Sequence, residues 1–407
     1  MDGGAKVRSK PWPARKLLGQ AEKKAVDALF DKAIVSGNAF GYNGAEEEKF
    51  CREFAEFMGG GYADAVNSGT SAVYVALRAL NIEPFTEVIV SPITDPGGMM
   101  PIALLNCIPI VADTAPGSFN VGPEQVARMI SPLTSAIVVV HLLGEPADMN
   151  GIMRVARKHR IPIVEDCAQS QGATINGHLV GTFGDVAAFS TMFGKHFCTG
   201  GQGGVVYTRT EKTYQQARRV SDRGKPFFMP GGSTNCVAAL NLNLNDLAAV
   251  IGSVQLKKLP GIVRRRRRIT QWLRQGLRSL KAVSFPEIVK GGNPSYWFLR
   301  LRFNAHAVSF DKAAFCKALA AEGLAVNASY NNMPHTGDWF KNRHVFGTGK
   351  LPWSSPLYKG DASREFDCPA ARKAIADHLL LTVYESWGKR EADDIINIFK
   401  KVEALCK

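Results

Sequence analysis

The chain lacks the patterns that would place it in a membrane or outside the cell. No run reaches the roughly 18 uncharged apolar residues of a membrane span. The basic start MDGGAKVRSKPWPARK is not followed by the apolar core of a secretory signal. None of the eight cysteines forms a CxxC pair, which excludes a zinc ribbon and gives no disulfide framework. We therefore predict a cytoplasmic protein with reduced, mostly buried thiols and no membrane segment.

Negative charge is also scarce. Asp and Glu number 36 against 50 Lys and Arg, and the net charge is +14. Part of the excess is the run Arg264–Arg268. Such a run can bind nucleic acid, or it can be a solvated helix face or a rim that attracts a small anion. Because no helix-turn-helix, zinc-finger or RNP-like motif accompanies it, the sequence favours a solvated helix face or a rim for a small anion over nucleic acid.

Short apolar runs alternate with helical patterns in the first half of the chain. Strands are predicted at Val88–Val90, Pro109–Asp113, Ala136–His141, Ile161–Asp166, Asp185–Ser190 and Gly204–Thr208. Helices are predicted at Ser71–Leu80, Met99–Asn106, Pro123–Ile130 and Gly151–Lys158. This alternation predicts an α/β fold with a mainly parallel sheet flanked by helices.

The pattern changes after Pro260. A basic helix at Val263–Leu280 leads to a strand in SYWFLRLRF, and the helices Asp311–Glu322 and Glu391–Leu405 follow, with a long loop at 330–365 between them. At about 150 residues per domain, the 407 residues suggest two or three domains. We predict an N-terminal arm (1–30), a large domain (31–260) and a small α+β domain (261–407).

Three motifs carry candidate chemistry. In NSGTSAVYVALRAL, Gly69, Thr70 and Ser71 stand at the start of a helix, whose free N–H groups can bind an anion or simply be capped. In PIVEDCAQSQGA, Asp166 ends a buried strand, where a carboxylate needs a cationic partner or caps a helix. Gln169, three residues on, could complete a capping box or bind a phenolic oxygen.

The third motif is FSTMFGKHFCTGGQGG. It places Lys195 after a strand that ends at Ser190, among glycines that mark close backbone approach. A partly desolvated amine can lose its proton and attack a carbonyl, whereas a solvated loop lysine would not. An anion site, a carboxylate and a reactive lysine at one sheet edge are the three groups that pyridoxal phosphate requires. The sequence therefore predicts pyridoxal 5'-phosphate as the cofactor.

These motifs resemble the DegT/DnrJ/EryC1/StrS family of sugar aminotransferases. The resemblance covers most of the chain and is most specific from His141 to Gly204, including GTFGDVAAFSTMFGKH and GGQGGVVYT. It implies fold type I of the pyridoxal phosphate-dependent transferases. That fold has a mainly parallel, seven-stranded sheet flanked by helices in the large, cofactor-binding domain and a smaller α+β C-terminal domain.

The resemblance also implies residue roles. Lys195 would bind the cofactor's aldehyde covalently, Asp166 would keep the ring nitrogen protonated, and Gln169 would hydrogen-bond the ring hydroxyl. The phosphate is implied to be held by Thr70 and Ser71, which follow Gly69, and by Ser190 at the end of its strand. Asn241, in LNLNLND, would reach the cofactor phosphate of a neighbouring subunit, which implies a homodimer with shared active sites.

Two positions depart from the family pattern. Asp95, in SPITDPGG, stands where many members have an aromatic residue stacked on the cofactor ring, so ring packing must differ or come from another side chain. Asn243 stands where an arginine is common, and Arg223 is a candidate to replace that charge. An acid near the reacting face favours a cationic or hydroxyl-rich substrate group.

The implied reaction is transamination from L-glutamate to a keto sugar, for surface polysaccharide, lipopolysaccharide or antibiotic synthesis. The acceptor is a nucleotide-linked 4-keto-6-deoxy sugar, a keto 3-deoxy-octulosonate or a keto-cyclitol, and Asp95 favours the last two. Dehydratase relatives replace the lysine with histidine, which Lys195 argues against even with His196 beside it. A non-catalytic cofactor-binding regulator is the remaining alternative.

Overall fold

The central sheet of the protein has seven strands, in a computed structural model that describes residues 4–406. The strands are β1 Tyr62–Val66, β2 Glu87–Val90, β3 Ile108–Val111, β4 Thr134–Val140, β5 Ile163–Asp166, β6 Thr174–Ile175, β7 His178–Leu179, β8 Val186–Ser190, β9 Gly204–Thr208, β10 Val283–Ser284, β11 Gly292–Asn293, β12 Leu299–Phe303 and β13 His378–Leu381. The large sheet has the order β1-β9-β8-β5-β4-β2-β3, in which β9 runs in the opposite direction to the other six strands. The predicted α/β fold with a mainly parallel sheet is confirmed.

Twelve α-helices surround the sheets in the described residues. They are α1 Gln20–Ser36, α2 Ala45–Phe57, α3 Gly69–Ala79, α4 Met100–Leu104, α5 Pro123–Met129, α6 Met149–His159, α7 Glu211–Ser221, α8 Asp246–Leu277, α9 Lys312–Ala321, α10 Asp338–Lys341, α11 Pro369–Asp377 and α12 Lys389–Leu405. Within residues 4–406, none of the helices is both long and apolar enough to cross a bilayer. All eight cysteines are free, and all except Cys51 and Cys236 are buried.

The sequence did not predict strand β1, because Asp64 interrupts its apolar pattern. Asp64 is buried, and its carboxylate accepts hydrogen bonds from Arg218 at 2.6 Å and from the Ser221 hydroxyl at 2.7 Å. A buried charge is tolerated when it is paired and hydrogen-bonded in this way. The partners lie on α7, more than 150 residues away in sequence.

Helix α8 begins much earlier than the sequence predicts. The predicted start at Val263 is wrong, because the helix begins at Asp246, where the Asn245 side chain caps it by accepting from the Ala248 N–H at 2.9 Å. It continues through Pro260, which loses one backbone hydrogen bond there. The predicted domain boundary at 260/261 therefore falls inside a continuous helix, and the division into an arm and two domains stays a prediction.

Helix α8 packs in both hydrophobic cores. Its first half, as far as Val263, packs in the core of the large sheet. Its second half, from Ile269, packs with β12, β13 and α12 in a second core. The predicted loop at 330–365 contains α10 and a short 3-10 turn, and Phe340 and Trp353 within it join the core of the large sheet.

Candidate active site

Most of the predicted site residues, with Asn241 as the exception, lie at the carboxyl edge of the large sheet. Asp166 is the last residue of β5 and Ser190 is the last residue of β8, and these two strands are parallel neighbours. Parallel neighbours end at the same edge, where open α/β sheets bind their ligands. Lys195 lies in a short turn after β8, and its own backbone N–H donates to the carbonyl of Met192 at 2.9 Å.

Lys195 is a buried amine. Only 7% of the residue is exposed, and burial lowers its pKa from 10.5 to about 8, against the opposing pull of Asp166 and Asp95. Its Nζ atom lies 4.0 Å from the centroid of the Trp297 ring. About one tenth of such an amine is neutral at pH 7, so Lys195 can act as a nucleophile where a solvated lysine could not.

Asp166 is a buried carboxylate at the end of β5. Burial raises its pKa, which the Ala168 N–H, donating to Oδ1 at 3.0 Å, and the charges of Lys195 and His141 partly offset. The Ala168 hydrogen bond shows that Asp166 also caps the following turn. A protonated ring nitrogen would supply the positive charge that this carboxylate requires.

The Gln169 side chain is oriented to donate to a phenolic oxygen. Its Oε1 accepts from the Leu143 N–H at 2.9 Å, and its Nε2 donates to the Tyr330 hydroxyl at 3.0 Å. The capping-box alternative is wrong, because both ends of the amide are engaged outside their own turn. Burial raises the pKa of Tyr330, so this phenol stays protonated.

The start of α3 forms an anion cradle. Ser68 is the N-cap and accepts from the Ser71 N–H at 3.0 Å, and the described residues offer no acceptor to the N–H groups of Gly69 and Thr70. A Cβ atom at Gly69 would lie 2.6 Å from the Ser190 Cβ, so the helix start is pressed against the end of β8. Exposed N–H groups at a helix start bind phosphate.

Asp95 lies near the same site but is exposed. Its carboxylate accepts from the Gly97 N–H at 3.0 Å and starts a 3-10 turn at Pro96–Gly98. It acts electrostatically on both Lys195 and Asp166. The aromatic contact to the lysine amine comes from Trp297 instead.

Asn241 does not join this cluster through any hydrogen bond in the described chain. Its Oδ1 accepts from Asn243 Nδ2 at 2.7 Å, and its backbone pairs with Asp222. Arg223, the candidate replacement charge, pairs with Asp222 and with the Tyr42 hydroxyl. The roles predicted for Asn241 and Arg223 stay predictions.

Sequence reasoning missed two aromatic residues of the site. Trp297 contacts the lysine amine, and its indole N–H donates to the Gly194 carbonyl at 2.9 Å. Tyr330 holds the Gln169 amide. Both lie more than 100 residues after Lys195, and only the aromatic cluster in SYWF could have pointed to the first.

A second cluster, of His141, Glu165 and Cys167, has the residue types of a metal site. Glu165 instead accepts three backbone N–H groups, from Gly181, Phe183 and Gly184 at 2.6–2.8 Å. The Nδ1 atom of His141 accepts from a backbone N–H, so its Nε2 donates to Glu165 at 3.0 Å. These hydrogen bonds give the cluster a structural role beneath the site.

Comparison with known proteins identifies the family. Residues 21–400 match the model of the DegT/DnrJ/EryC1/StrS aminotransferase family. The chain belongs to this family. As the resemblance implied, it is an aminotransferase, and its cofactor is pyridoxal phosphate.

Individual relatives agree with this assignment. A GDP-perosamine synthase from Caulobacter vibrioides is 30% identical over 290 residues, which cover 70% of this chain and 76% of that protein. An L-glutamine:2-deoxy-scyllo-inosose aminotransferase from Micromonospora echinospora is 29% identical over 99% of this chain and 97% of its own length. The X-ray structure of an aminotransferase from Psychrobacter cryohalolentis superposes with a TM-score of 0.84 at 27% identity, covering 98% of this chain and 99% of that one. Sugar and cyclitol aminotransferases among the relatives support amino-sugar synthesis by transamination.

Proposed function

We propose that this aminotransferase moves the amino group of L-glutamate to the keto carbon of a hydroxyl-rich sugar or cyclitol ring, with Lys195 as its nucleophile. The observation that carries the proposal is the placement of Lys195. The amine is buried, has a lowered pKa, and shares one sheet edge with the Asp166 carboxylate and the open start of α3. These are the three groups that the cofactor needs.

Each residue has a defined task in this proposal. Bound pyridoxal phosphate supplies an aldehyde for amines and a ring that stabilises negative charge on the carbon that loses a proton. Lys195 would bind that aldehyde until the amine of the donor displaces it, and the released Lys195 amine would then move the proton to and from the substrate carbon. Asp166 would keep the ring nitrogen protonated, and Gln169 Nε2 would donate to the ring hydroxyl in place of the Tyr330 hydroxyl.

The phosphate is assigned to the start of α3. The N–H groups of Gly69 and Thr70 would donate to it, joined by the hydroxyls of Thr70, Ser71 and Ser190. Only Thr70 is exposed, and the Ser71 hydroxyl donates to Asn67 Oδ1 at 2.6 Å, so it must turn to reach the ligand. Asp95 is left to accept hydrogen bonds from the substrate rather than to stack on the ring.

Of the two acceptors that Asp95 favours in the sequence, its exposed carboxylate favours the uncharged keto-cyclitol over the keto 3-deoxy-octulosonate, because it would repel a sugar acid, as it would a diphosphate, placed against it. A keto-cyclitol is therefore our leading candidate. The relative that aligns over 99% of this chain is named for a cyclitol substrate, which supports this choice. Its name also gives L-glutamine as the donor, so both donors belong in the test.

We also propose a cytoplasmic homodimer in which Asn241 of one subunit completes the site of the other. The position of Asn241 supports this: it is exposed, and no hydrogen bond links it to the Lys195 cluster of its own chain. The N-terminal region also leaves Phe30, Ile34 and Val35 of α1 exposed, and a partner could cover such an apolar patch.

The acceptor can be tested with protein that has been loaded with amino group from the donor. Holoenzyme is first incubated with L-glutamate or L-glutamine, and the unreacted donor is removed. It is then mixed with a keto-cyclitol, a nucleotide-linked 4-keto-6-deoxy sugar or a keto 3-deoxy-octulosonate. Mass spectrometry then detects the aminated product. We expect the keto-cyclitol to react fastest, by at least about tenfold. Faster reaction of either anionic acceptor would overturn the proposed substrate. The variant Asp95→Asn, which removes only the negative charge, shows whether Asp95 sets the preference between acceptors.

A further inference from the structure

One carboxylate connects the N-terminal segment to helix α8. Glu385 is 6% exposed, and each of its oxygens binds a different arginine. Oε1 accepts from Arg15 Nε at 2.8 Å, and Oε2 accepts from Arg266 at 2.8 and 2.9 Å. Burial alone would raise the pKa of Glu385, but the charges of Arg266 and Arg15 outweigh it and lower the pKa, so the carboxylate is ionised.

Both arginines also donate to backbone carbonyls next to the contact between the Lys195 amine and the Trp297 ring. Arg15 Nη2 donates to the carbonyl of His196, the residue after Lys195, at 2.9 Å. Arg266 Nη1 donates to the Trp297 carbonyl at 3.1 Å and to its neighbour's at 2.8 Å. The two arginines therefore hold the backbone on each side of the Lys195–Trp297 contact, and Glu385 holds the two arginines together.

His196 adds a second connection between the same two segments. Its ring is fully buried, with Nε2 3.1 Å from the Ser295 carbonyl oxygen and Nδ1 2.8 Å from Gln171 Oε1, and a neutral ring donates to one of these two acceptors. Burial, together with the charges of Arg266 and Arg15, lowers its pKa, so the ring is neutral. The segment that carries Lys195 is thus tied to the segment that carries Trp297 at more than one point.

A fold does not need so many buried charges for stability alone. Arg266 is 1% exposed, and replacing a buried ion pair by apolar side chains of similar volume is often neutral or stabilising. The hydrogen bonds of this network end on backbone carbonyls beside Lys195 and Trp297, where a small displacement of the backbone would move the reacting amine. The arrangement fits a role in positioning.

We propose that Arg15, acting with Glu385 and Arg266, is a positioning residue that holds the Lys195 amine against the Trp297 ring. The proposal rests on the proposed function, because it assigns the network to the nucleophile of that reaction. Arg15 is the informative member, since it comes from the N-terminal segment, and other contacts keep that segment docked. Among these contacts, the Trp12 indole donates to the Gly323 carbonyl at 2.7 Å, and its ring lies 4.8 Å from that of Trp387.

The test measures the lysine amine in protein without cofactor. Lys195 is labelled with trinitrobenzenesulfonate between about pH 6 and about pH 10, and peptide mass spectrometry gives its rate at each pH. The charged groups that act on this amine are Asp166 and Asp95. In Arg15→Met the amine should move away from Trp297 into water, and its pKa should rise by about one unit, so labelling at pH 7 should fall about tenfold.

Two further variants show whether Arg15 acts on Lys195 by holding its position or through its own positive charge. Arg15→Lys keeps the charge but cannot bridge Glu385 and the His196 carbonyl as the forked guanidinium does, so we expect it to behave like Arg15→Met. Arg8→Met is the matched control, because Arg8 holds the same segment through Asp394 and not through Glu385. It should leave the labelling profile within about twofold of the wild type.

Either of two results would overturn the proposal: a wild-type profile in Arg15→Met, or full recovery in Arg15→Lys. A failure of the proposed function is separately visible, because the wild-type amine would then show its lowered pKa while L-glutamate and L-glutamine left the bound cofactor unchanged. Circular dichroism of each variant confirms that the fold is kept, and the labelling of an exposed lysine, Lys212, gives the reference rate.

Discussion

The amine nitrogen of Lys195 lies 4.0 Å from the centroid of the Trp297 ring. The ring covers one side of the amine, and the Trp297 indole N–H fixes it to the backbone of Gly194, directly before the lysine. A cation over an indole face gains stability, which favours the charged amine, but burial is the larger influence and favours the neutral one. The Lys195 amine is therefore held in a fixed position beside the ring, and part of it is neutral near pH 7.

Replacing Trp297 by leucine should raise the pKa of Lys195 from about 8 towards its ordinary value, because water would replace the ring. A rise of about one unit would lower the neutral fraction at pH 7 about tenfold and move the rising limb of the activity profile to higher pH. The pH dependence of Lys195 labelling measures this change. Trp272→Leu, in the second core, controls for the loss of a tryptophan. An unchanged pH profile in Trp297→Leu would refute the shielding role.

Replacing Asp166 by asparagine should weaken cofactor binding about 10- to 100-fold, because a charge-assisted hydrogen bond contributes about 1.5–3 kcal/mol. Asparagine keeps an oxygen for the Ala168 N–H, so the turn should be preserved. Fluorescence titration with pyridoxal phosphate gives the affinity. Cofactor binding and turnover equal to the wild type in Asp166→Asn would refute the role of Asp166 at the ring nitrogen.

The substitution Gly69→Ala tests the anion cradle. The new Cβ would lie 2.6 Å from the Ser190 Cβ, so α3 or the end of β8 must shift. We expect about 1–3 kcal/mol less stability in urea unfolding, and a weaker preference for pyridoxal phosphate over pyridoxal. Gly41→Ala is the matched control, since nothing lies within 4 Å of its Cβ. Equal effects of the two substitutions would show that Gly69 is not part of the cradle.

The shared-site homodimer predicts complementation between inactive variants. Lys195→Ala and Asn241→Ala should each lose most activity alone. After the subunits are mixed and exchanged, half of the dimers are mixed, and each has one site with both residues intact. About a quarter of wild-type activity should therefore return. If Asn241 acts within its own subunit, or if the protein is a monomer, mixing restores nothing.

Much of the site was predictable because its parts lie close together in sequence. Asp166, Gln169, Ser190 and Lys195 fall within one stretch of strands and turns, and the carboxyl ends of β5 and β8 bring them to one edge. Trp297 and Tyr330 come from distant segments whose approach depends on how the second core docks. No local pattern records that approach.

The arginine run shows a feature that was present in the sequence but missed. Three of its members, Arg264, Arg265 and Arg268, are exposed, as the solvated-face interpretation expects, but Arg266 is buried. Its spacing explains this, because Val263, Arg266 and Leu273 follow the helical period of the buried face of α8. The sequence could not show that Glu385 would neutralise it.

The visible absorption spectrum of the protein with pyridoxal phosphate, before and after L-glutamate, decides whether Lys195 is the nucleophile. We expect a band from lysine-bound cofactor that forms in the wild type, shifts to the pyridoxamine form with the amino donor, and is missing in Lys195→Ala. Lys212→Ala, at an exposed position, should behave as the wild type does. A band that forms equally well in Lys195→Ala, or no band in the wild type, would contradict the assignment of Lys195 as the nucleophile.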